Sequence, residues 1–321
     1  MSETRKVQLV GGSTYSVSVP KSWAEANDVS AGDPVRVSTD RDGSLSIHSD
    51  VAANGGLERI TVPLADPRPD NVERTLIVAY LAGYERIRIV ADDRFEDRHH
   101  RQARSAARDL AGTTVVESDP TAIVVQIALD PAAVSIQQSL DQVASLSRSA
   151  VETAFASDHD DVGRVRDRKA DIDRLAHLVR RHHDRALVVH GDLDALGIDR
   201  WHLALAARAA DRSRLIAGEA LRAAARFDEW DDPHPTVEPL ADALTTALRT
   251  LSTPTDPGPL FEHRSRLAEW RAGRDNETAG DPSARAAGIL DRIEALVDDI
   301  GDLALRSTLQ SDREGTPPID A

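Results

Sequence analysis

The sequence has 321 residues and a formal net charge of −15, a length from which two or three domains are expected. It contains no cysteine, which excludes disulfides, thiol catalysis and cysteine-ligated zinc or iron–sulfur sites. Residues 1–10 lack the apolar segment of a signal peptide, and no run approaches the ~18 apolar residues of a membrane span. We therefore expect a cytoplasmic protein without membrane insertion.

Residues 7–47 predict four short strands and one small helix. Pro20 ends the second strand because proline cannot donate to a ladder, and Ser22 is expected to cap the helix. So small a unit buries little apolar surface by itself, and we expect it to pair with a second copy. The strands are expected at 7–10, 14–19, 35–37 and 45–47, with turns at Gly11-Gly12, Gly32-Asp33 and Asp42-Gly43.

This arrangement resembles the AbrB/SpoVT family of swapped-hairpin domains. The resemblance covers about forty residues and is carried by several motifs together. It implies an interlaced homodimer that usually binds DNA. The motifs are Lys6-Val7-Gln8, Gly11-Gly12-Ser13, the Val-Ser-Val-Pro-Lys segment ending at Lys21, Gly32-Asp33, and Asp42-Gly43 before Leu45 and Ile47.

Arg5, Lys6 and Lys21 are the candidate DNA contacts, because they flank the turn and strand end where that family presents its DNA-facing surface. Seven acidic residues among the first fifty oppose attraction to phosphate. The acid-rich, lysine-poor and alanine-rich composition is typical of halophiles that keep a high salt concentration in the cytoplasm. There the salt screens the mutual repulsion of acidic side chains. DNA binding and a pure dimerisation role both remain open.

Residues 57–130 predict a small α/β layer with helices on one face, after a linker at 51–56. Strands are expected at 60–64, 86–90, 113–117 and 123–129, and helices at 72–81 and 93–110. His99 and His100 are expected on a solvated helix face, since adjacent side chains diverge by about 100° and rarely share one ion. No phosphate loop or glycine fingerprint occurs here.

Residues 131–311 predict helices throughout, in apolar stripes with the spacing of antiparallel bundles. Three helices precede residue 232, and three more are expected at 237–251, 260–271 and 283–309. This arrangement indicates an internal duplication into bundles at 131–232 and 234–311. In support, Ala210-Asp211-Arg212-Ser213 is similar to Leu290-Asp291-Arg292-Ile293.

The duplicated helical region resembles the PhoU family of tandem three-helix bundles, which regulate phosphate uptake. Together with the AbrB-like segment and the α/β layer, the chain is similar to archaeal, in particular haloarchaeal, members of that family. The expected fold is therefore multidomain α+β: an N-terminal swapped-hairpin domain (1–50), a small α/β domain (57–130) and C-terminal tandem three-helix bundles (131–311). The resemblance implies a phosphate ABC transporter ATPase or a phosphate-signalling protein as partner.

In that family, pairs of acidic residues four positions apart commonly hold metal clusters. Such carboxylates lie on one helix face and can converge on a hard cation. Leu215 and Ala295 occupy the positions of two expected acids, so the motif is eroded. Divalent or iron/zinc ions are one interpretation, and a solvated acidic face is the other. The candidate ligands are Asp167, Asp171, Asp173, Asp211 and Asp291.

A second metal hypothesis uses histidine, because imidazole with carboxylate suits zinc or iron. The residues concerned are Asp173, His177, His182, His183 and His190, which lie along one predicted helix. No pair of histidines four positions apart occurs among them. The alternative for His182 and His183 is to act as cations that complement the helix dipole.

The sequence therefore predicts a regulator of phosphate uptake or phosphate signalling with a dimerising head that can bind DNA. The alternative is an AbrB-type transcriptional regulator whose helical region is an effector or dimerisation scaffold. An enzyme is not expected, because the sequence contains no nucleophile elbow and no cofactor fingerprint. The acidic pairs on the helices are also not accompanied by other residues typical of a catalytic site.

Overall fold

The computed structural model consists of a β-hairpin head, a middle domain with one sheet, and a helical body, which confirms the predicted multidomain α+β class. None of the described helices is both long and apolar enough to cross a membrane. Several predicted features, including the linker 51–56, the Asp42-Gly43 turn and His190, lie outside the described residues. The structure describes residues 4–39, 45–49, 57–66, 68–91, 94–156, 161–189, 191–226, 236–253, 256–277 and 284–314.

The strands and helices follow the predicted order. The strands are β1 (Gln8–Val10), β2 (Thr14–Ser16), β3 (Val35–Thr39), β4 (Leu45–Ser49), β5 (Arg59–Leu64), β6 (Arg86–Ala91), β7 (Thr113–Ser118) and β8 (Ala122–Ile127). The helices are α1 (Lys21–Ala26), α2 (Pro69–Leu81), α3 (Asp97–Arg108), α4 (Ile136–Ala154), α5 (Asp161–Ala186), α6 (Asp192–Leu196), α7 (Arg200–Ala224), α8 (Glu238–Ser252), α9 (Gly258–Glu277) and α10 (Ala284–Glu314).

The head is two separate antiparallel hairpins, β1–β2 and β3–β4, with α1 between them. The Gly11-Gly12 turn is confirmed, since both residues have positive φ, where a side chain would be strained. β2 ends at Ser16 rather than at the predicted residue 19, because three-residue β1 offers no partner beyond Gln8. Ser22 is not the helix cap; Pro20 occupies that position.

The middle domain packs α2 and α3 on one face of a sheet with strand order β5-β6-β8-β7. β5 and β6 are parallel, and the other neighbours are antiparallel. The solvated position predicted for His99 is wrong, because the side chain is only 2% exposed. Its ring nitrogen accepts from the Glu96 backbone N–H at 2.8 Å, which fixes the start of α3.

The helical body has one shared hydrophobic core to which all the long helices contribute, from α4 to α10. The two predicted three-helix sets are therefore packed against each other, with α4 against α8 and α7 against α10. A short helix, α6, adds to the six predicted ones and is bounded by Gly191 and Gly197 at positive φ. α9 also continues through Gly273, where a break was predicted.

Two ion pairs join α7 and α10. Arg212 Nε lies 3.0 Å from Asp299 Oδ2, and Arg292 Nε lies 3.0 Å from Glu219 Oε2. Each pair joins the arginine of one Asp-Arg motif to an acid on the other helix. That acid lies seven residues beyond the equivalent arginine of its own helix, Asp299 after Arg292 and Glu219 after Arg212. The contact is thus reciprocal between the two segments that were aligned in the sequence.

A buried arginine joins the helical body to the middle domain. Arg181 of α5 is 1% exposed, and its guanidinium lies 4.8 Å from the centroid of the Tyr80 ring. It donates to the backbone carbonyl of Tyr80, to that of Gly83 at 3.0 Å and to that of Tyr84 at 2.9 Å. These carbonyls are at the C-terminal end of α2, where a cation is favoured by the helix dipole.

Arg185, one turn further along α5, completes this junction. It donates to Gly83 O and to Asp192 Oδ2, both at 3.0 Å. A Cβ on Gly83 would lie 2.4 Å from the Arg185 side chain, so glycine is required there for space as well as for its positive φ. Burial lowers the pKa of Arg181 to about 10, which still leaves the guanidinium charged at neutral pH.

Replacing Arg181 with methionine should lower the free energy of unfolding by about 3 kcal/mol, because buried carbonyls lose their donors. Urea denaturation followed by circular dichroism measures this. The matched control is Arg166→Met, which changes an exposed arginine of the same helix and should alter stability by less than about 0.5 kcal/mol. Equal effects of the two substitutions would contradict the proposed importance of this junction.

Candidate functional site

The candidate DNA-contact residues lie on the surface of the head. Arg5 and Lys6 precede β1, and both side chains are exposed. Lys21 opens α1 and is also exposed, with Nζ 3.5 Å from Glu25 Oε1. Since both members of that pair are well solvated, the pair is weak and leaves Lys21 able to exchange Glu25 for a phosphate.

The most unusual property of the head is that its apolar side chains are exposed. Tyr15 is 74% exposed, and α1 contains no buried residue. Apolar side chains in both hairpins share this exposure, so the described head has no hydrophobic core of its own. The exposed members are Val7, Leu9, Val10, Tyr15, Val17, Val19, Val37 and Leu45.

The candidate metal ligands of the body are partly brought together, but basic side chains lie among them. Asp173 Oδ2 is 2.5 Å from Lys169 Nζ, and its Oδ1 is 3.1 Å from Arg214 Nε. Asp211 Oδ2 is 2.8 Å from Arg180 Nη1. The contacts of Arg214 and Arg180 join α5 to α7, and the three cationic side chains supply the neutralisation that a metal ion would otherwise provide.

The other candidate carboxylates are at the surface. Asp167, Asp171 and Asp291 are exposed, and Asp171 lies 3.6 Å from Arg174. Leu215 and Ala295, at the eroded motif positions, also face solvent. Among the residues that the structure describes, no group of three histidine, aspartate or glutamate side chains is arranged to hold a metal ion.

The histidines of α5 have two different environments. His177 and His182 are buried, and burial, the largest cause, lowers the pKa of each to about 4. Both are therefore neutral at pH 7, so the prediction that His182 acts as a dipole-complementing cation is wrong. His183 instead places Nδ1 2.8 Å from Asp184 Oδ1.

Sequence reasoning missed the arginines that organise this region. Arg180 and Arg214 bridge the acids of α5 and α7, and Arg181 faces away from them into the domain junction. Arg180 and Asp184 are four residues apart, a spacing that predicts an ion pair on one helix. That signal was available in the sequence, whereas the contacts between helices depend on the packing.

Comparison with known proteins identifies the class of the head. Residues 8–47 match the family model described as "Antidote-toxin recognition MazE, bacterial antitoxin". The match spans β1 to β4, so the chain carries an N-terminal MazE/AbrB-like domain. No curated protein and no solved structure matches the chain.

We predict that the purified protein carries less than one tightly bound transition metal per chain, because Leu215 and Ala295 replace acids and arginines neutralise the remaining carboxylates. Elemental analysis after dialysis measures this, with the dialysis buffer as the blank. Two or more metal ions per chain would contradict the prediction and restore the metal-cluster hypothesis.

Proposed function

We propose that this protein is a dimeric DNA-binding regulator in which the head forms the dimer and contacts DNA. The observation that supports the proposal best is the exposed apolar surface of two hairpins whose sequence matches a MazE/AbrB-like family model. Each large apolar side chain contributes about 1.5–3 kcal/mol when it becomes fully buried. Several of them buried between two copies would supply the core that one copy lacks.

The DNA-contact role rests on Arg5, Lys6 and Lys21, which are exposed on the same small domain. In a dimer they double to six cations. Because each neutralised phosphate releases counterions, six contacts would give a slope of about −5 in log affinity against log salt. Nearby acids oppose binding, so we expect modest affinity and weak dependence on DNA sequence.

For the helical body we propose a more specific function, the regulation of phosphate uptake. The reciprocal pairs Arg212–Asp299 and Arg292–Glu219 favour a tandem repeat, as in the PhoU-like bundles that the sequence resembles. Under this proposal the body docks a phosphate transporter ATPase or a phosphate-signalling protein in the cytoplasm. Copurification of such a partner with the full chain tests this role; its absence would favour the transcription-regulator alternative.

That alternative keeps the DNA-binding head but makes the body an effector or dimerisation scaffold. One observation favours it: the buried contacts of Arg181 and Arg185 connect the body to the middle domain, through which a change in the body could reach the head. Neither proposal requires an enzymatic activity.

Deletion of residues 1–50 should convert the dimer to a monomer or a much weaker dimer, since it removes the proposed interface. The middle domain and body have their own hydrophobic cores and should remain folded. Sedimentation velocity over a range of protein concentrations measures the association state. An unchanged dimer after deletion would show that the main dimer contact lies elsewhere.

Replacing Lys6 and Lys21 with alanine should weaken DNA binding by a similar factor for all sequences and reduce the salt slope by about 4 for the dimer. Gel-shift titrations at several salt concentrations measure both quantities. The control Arg166→Ala/Arg208→Ala removes two exposed cations from the helical body and should leave binding unchanged. If wild type and the head variant bind equally, the head is a dimerisation device only.

A further inference from the structure

Helix α3 presents a basic face in a chain whose net charge is −15. Arg101, Arg104 and Arg108 are all exposed, and their spacing of three and four places them along one side of the helix. The opposite side is buried against the sheet and α2 through His99 and small side chains. The packing of α3 therefore turns this side of the helix to solvent.

These three arginines carry charge that neighbouring acids do not neutralise. Within the described residues, none of the three has a carboxylate within 4.0 Å, the ion-pair distance. Among the nearby acids, Glu96 pairs with Arg98 at 3.3 Å and Glu73 of α2 accepts from Gln102, while Asp97, one turn before Arg101, forms no ion pair with it. An arginine without a local partner is available for an external anion.

A polar cavity of about 490 Å³ lies beside this face. Arg101 and Arg104 line it together with His100 and Ser118, which are 2.7 Å apart between Nδ1 and Oγ. Two carboxylates, of Asp97 and Asp119, also line it. The Asp119 carboxylate already accepts from the Thr121 and Ala122 backbone N–H groups at 2.7 and 2.8 Å, so it is committed to the β7–β8 turn.

We propose that the arginine face of α3 is a second DNA-backbone contact, in addition to the head. This inference rests on the proposed function, because the head must first hold the DNA. From Arg101 to Arg108 the helix rises about 10 Å, a length over which duplex DNA presents roughly six phosphate charges. Guanidinium groups suit such phosphates because they can form two parallel hydrogen bonds to one oxyanion.

The chain connection allows this contact. Ser49 ends the last strand of the head, and Leu57 begins the described part of the middle domain. The connection between them reaches about 28 Å when fully extended. The middle domain is thus tethered close to any duplex bound by the head, where even a few arginines experience a high local concentration of phosphate.

The test compares two triple variants of the full chain that change the net charge equally. Arg101→Gln/Arg104→Gln/Arg108→Gln removes the α3 face, and Arg166→Gln/Arg208→Gln/Arg249→Gln removes three exposed arginines of the body. Binding to a duplex is titrated at several salt concentrations. We expect the α3 variant to reduce the salt slope of the dimer by about 5, while the control keeps the wild-type slope.

The outcomes separate this inference from the proposed function. If wild type binds DNA and the α3 variant keeps both the affinity and the salt slope of wild type, the α3 contact is contradicted and the proposal of a DNA-binding head is unaffected. If wild type binds no duplex at low salt, both the DNA-binding head and the α3 contact are contradicted. If the control loses as much as the α3 variant, the effect is one of overall charge and the inference is also overturned.

A second measurement needs no substitution. Phenylglyoxal modifies accessible arginines, and mass spectrometry of the peptides reports each site with and without duplex DNA. We expect DNA to protect Arg101, Arg104 and Arg108 at least threefold while Arg166 and Arg208 remain reactive. Equal modification with and without DNA at the α3 sites would overturn the contact even if the variants behaved as expected.

Discussion

The arrangement of the middle domain and body depends on the insertion of Arg181 into the C-terminal end of α2. Removing a guanidinium from water costs several kcal/mol, so it is buried only where strong acceptors meet it. Carbonyls of Tyr80, Gly83 and Tyr84 provide these acceptors, and the Tyr80 ring covers the cation. The contact has little tolerance for displacement, because any shift would leave both the charge and the carbonyls unsatisfied.

The same contact explains why part of the fold was predictable from sequence and part was not. Spacing correctly placed Ile172 and Val179 on the core face of α5. Arg181 lies about half a turn from that stripe, where periodicity predicts solvent. Its burial depends on the end of α2, which is about a hundred residues earlier in the chain. A pattern that is local in sequence contains no information about such a partner.

The carboxylate region shows a related limit for the candidate site. Asp167 and Asp171, the pair four residues apart, are exposed, whereas Asp173 and Asp211 lie near each other across α5 and α7 on either side of Arg214. Lys169, four residues before Asp173, and Arg180, which reaches Asp211 on the facing helix, compete with a metal ion for these acids. Whether acids converge on a cation or on arginines is decided by the facing helix, through residues such as Arg214.

Under the proposed function, the head couples dimerisation to DNA binding. The Gly11-Gly12 turn was predictable because both glycines meet a strict local requirement for positive φ. Leu9, Tyr15 and Val37 stay exposed within one copy, although Leu9 and Tyr15 face each other across the β1–β2 hairpin, as expected of a unit too small to bury much apolar surface. If a second copy buries these side chains, folding of the head depends on protein concentration. The surface that carries Lys6 and Lys21 then becomes ordered only in the dimer, so DNA binding would require association first.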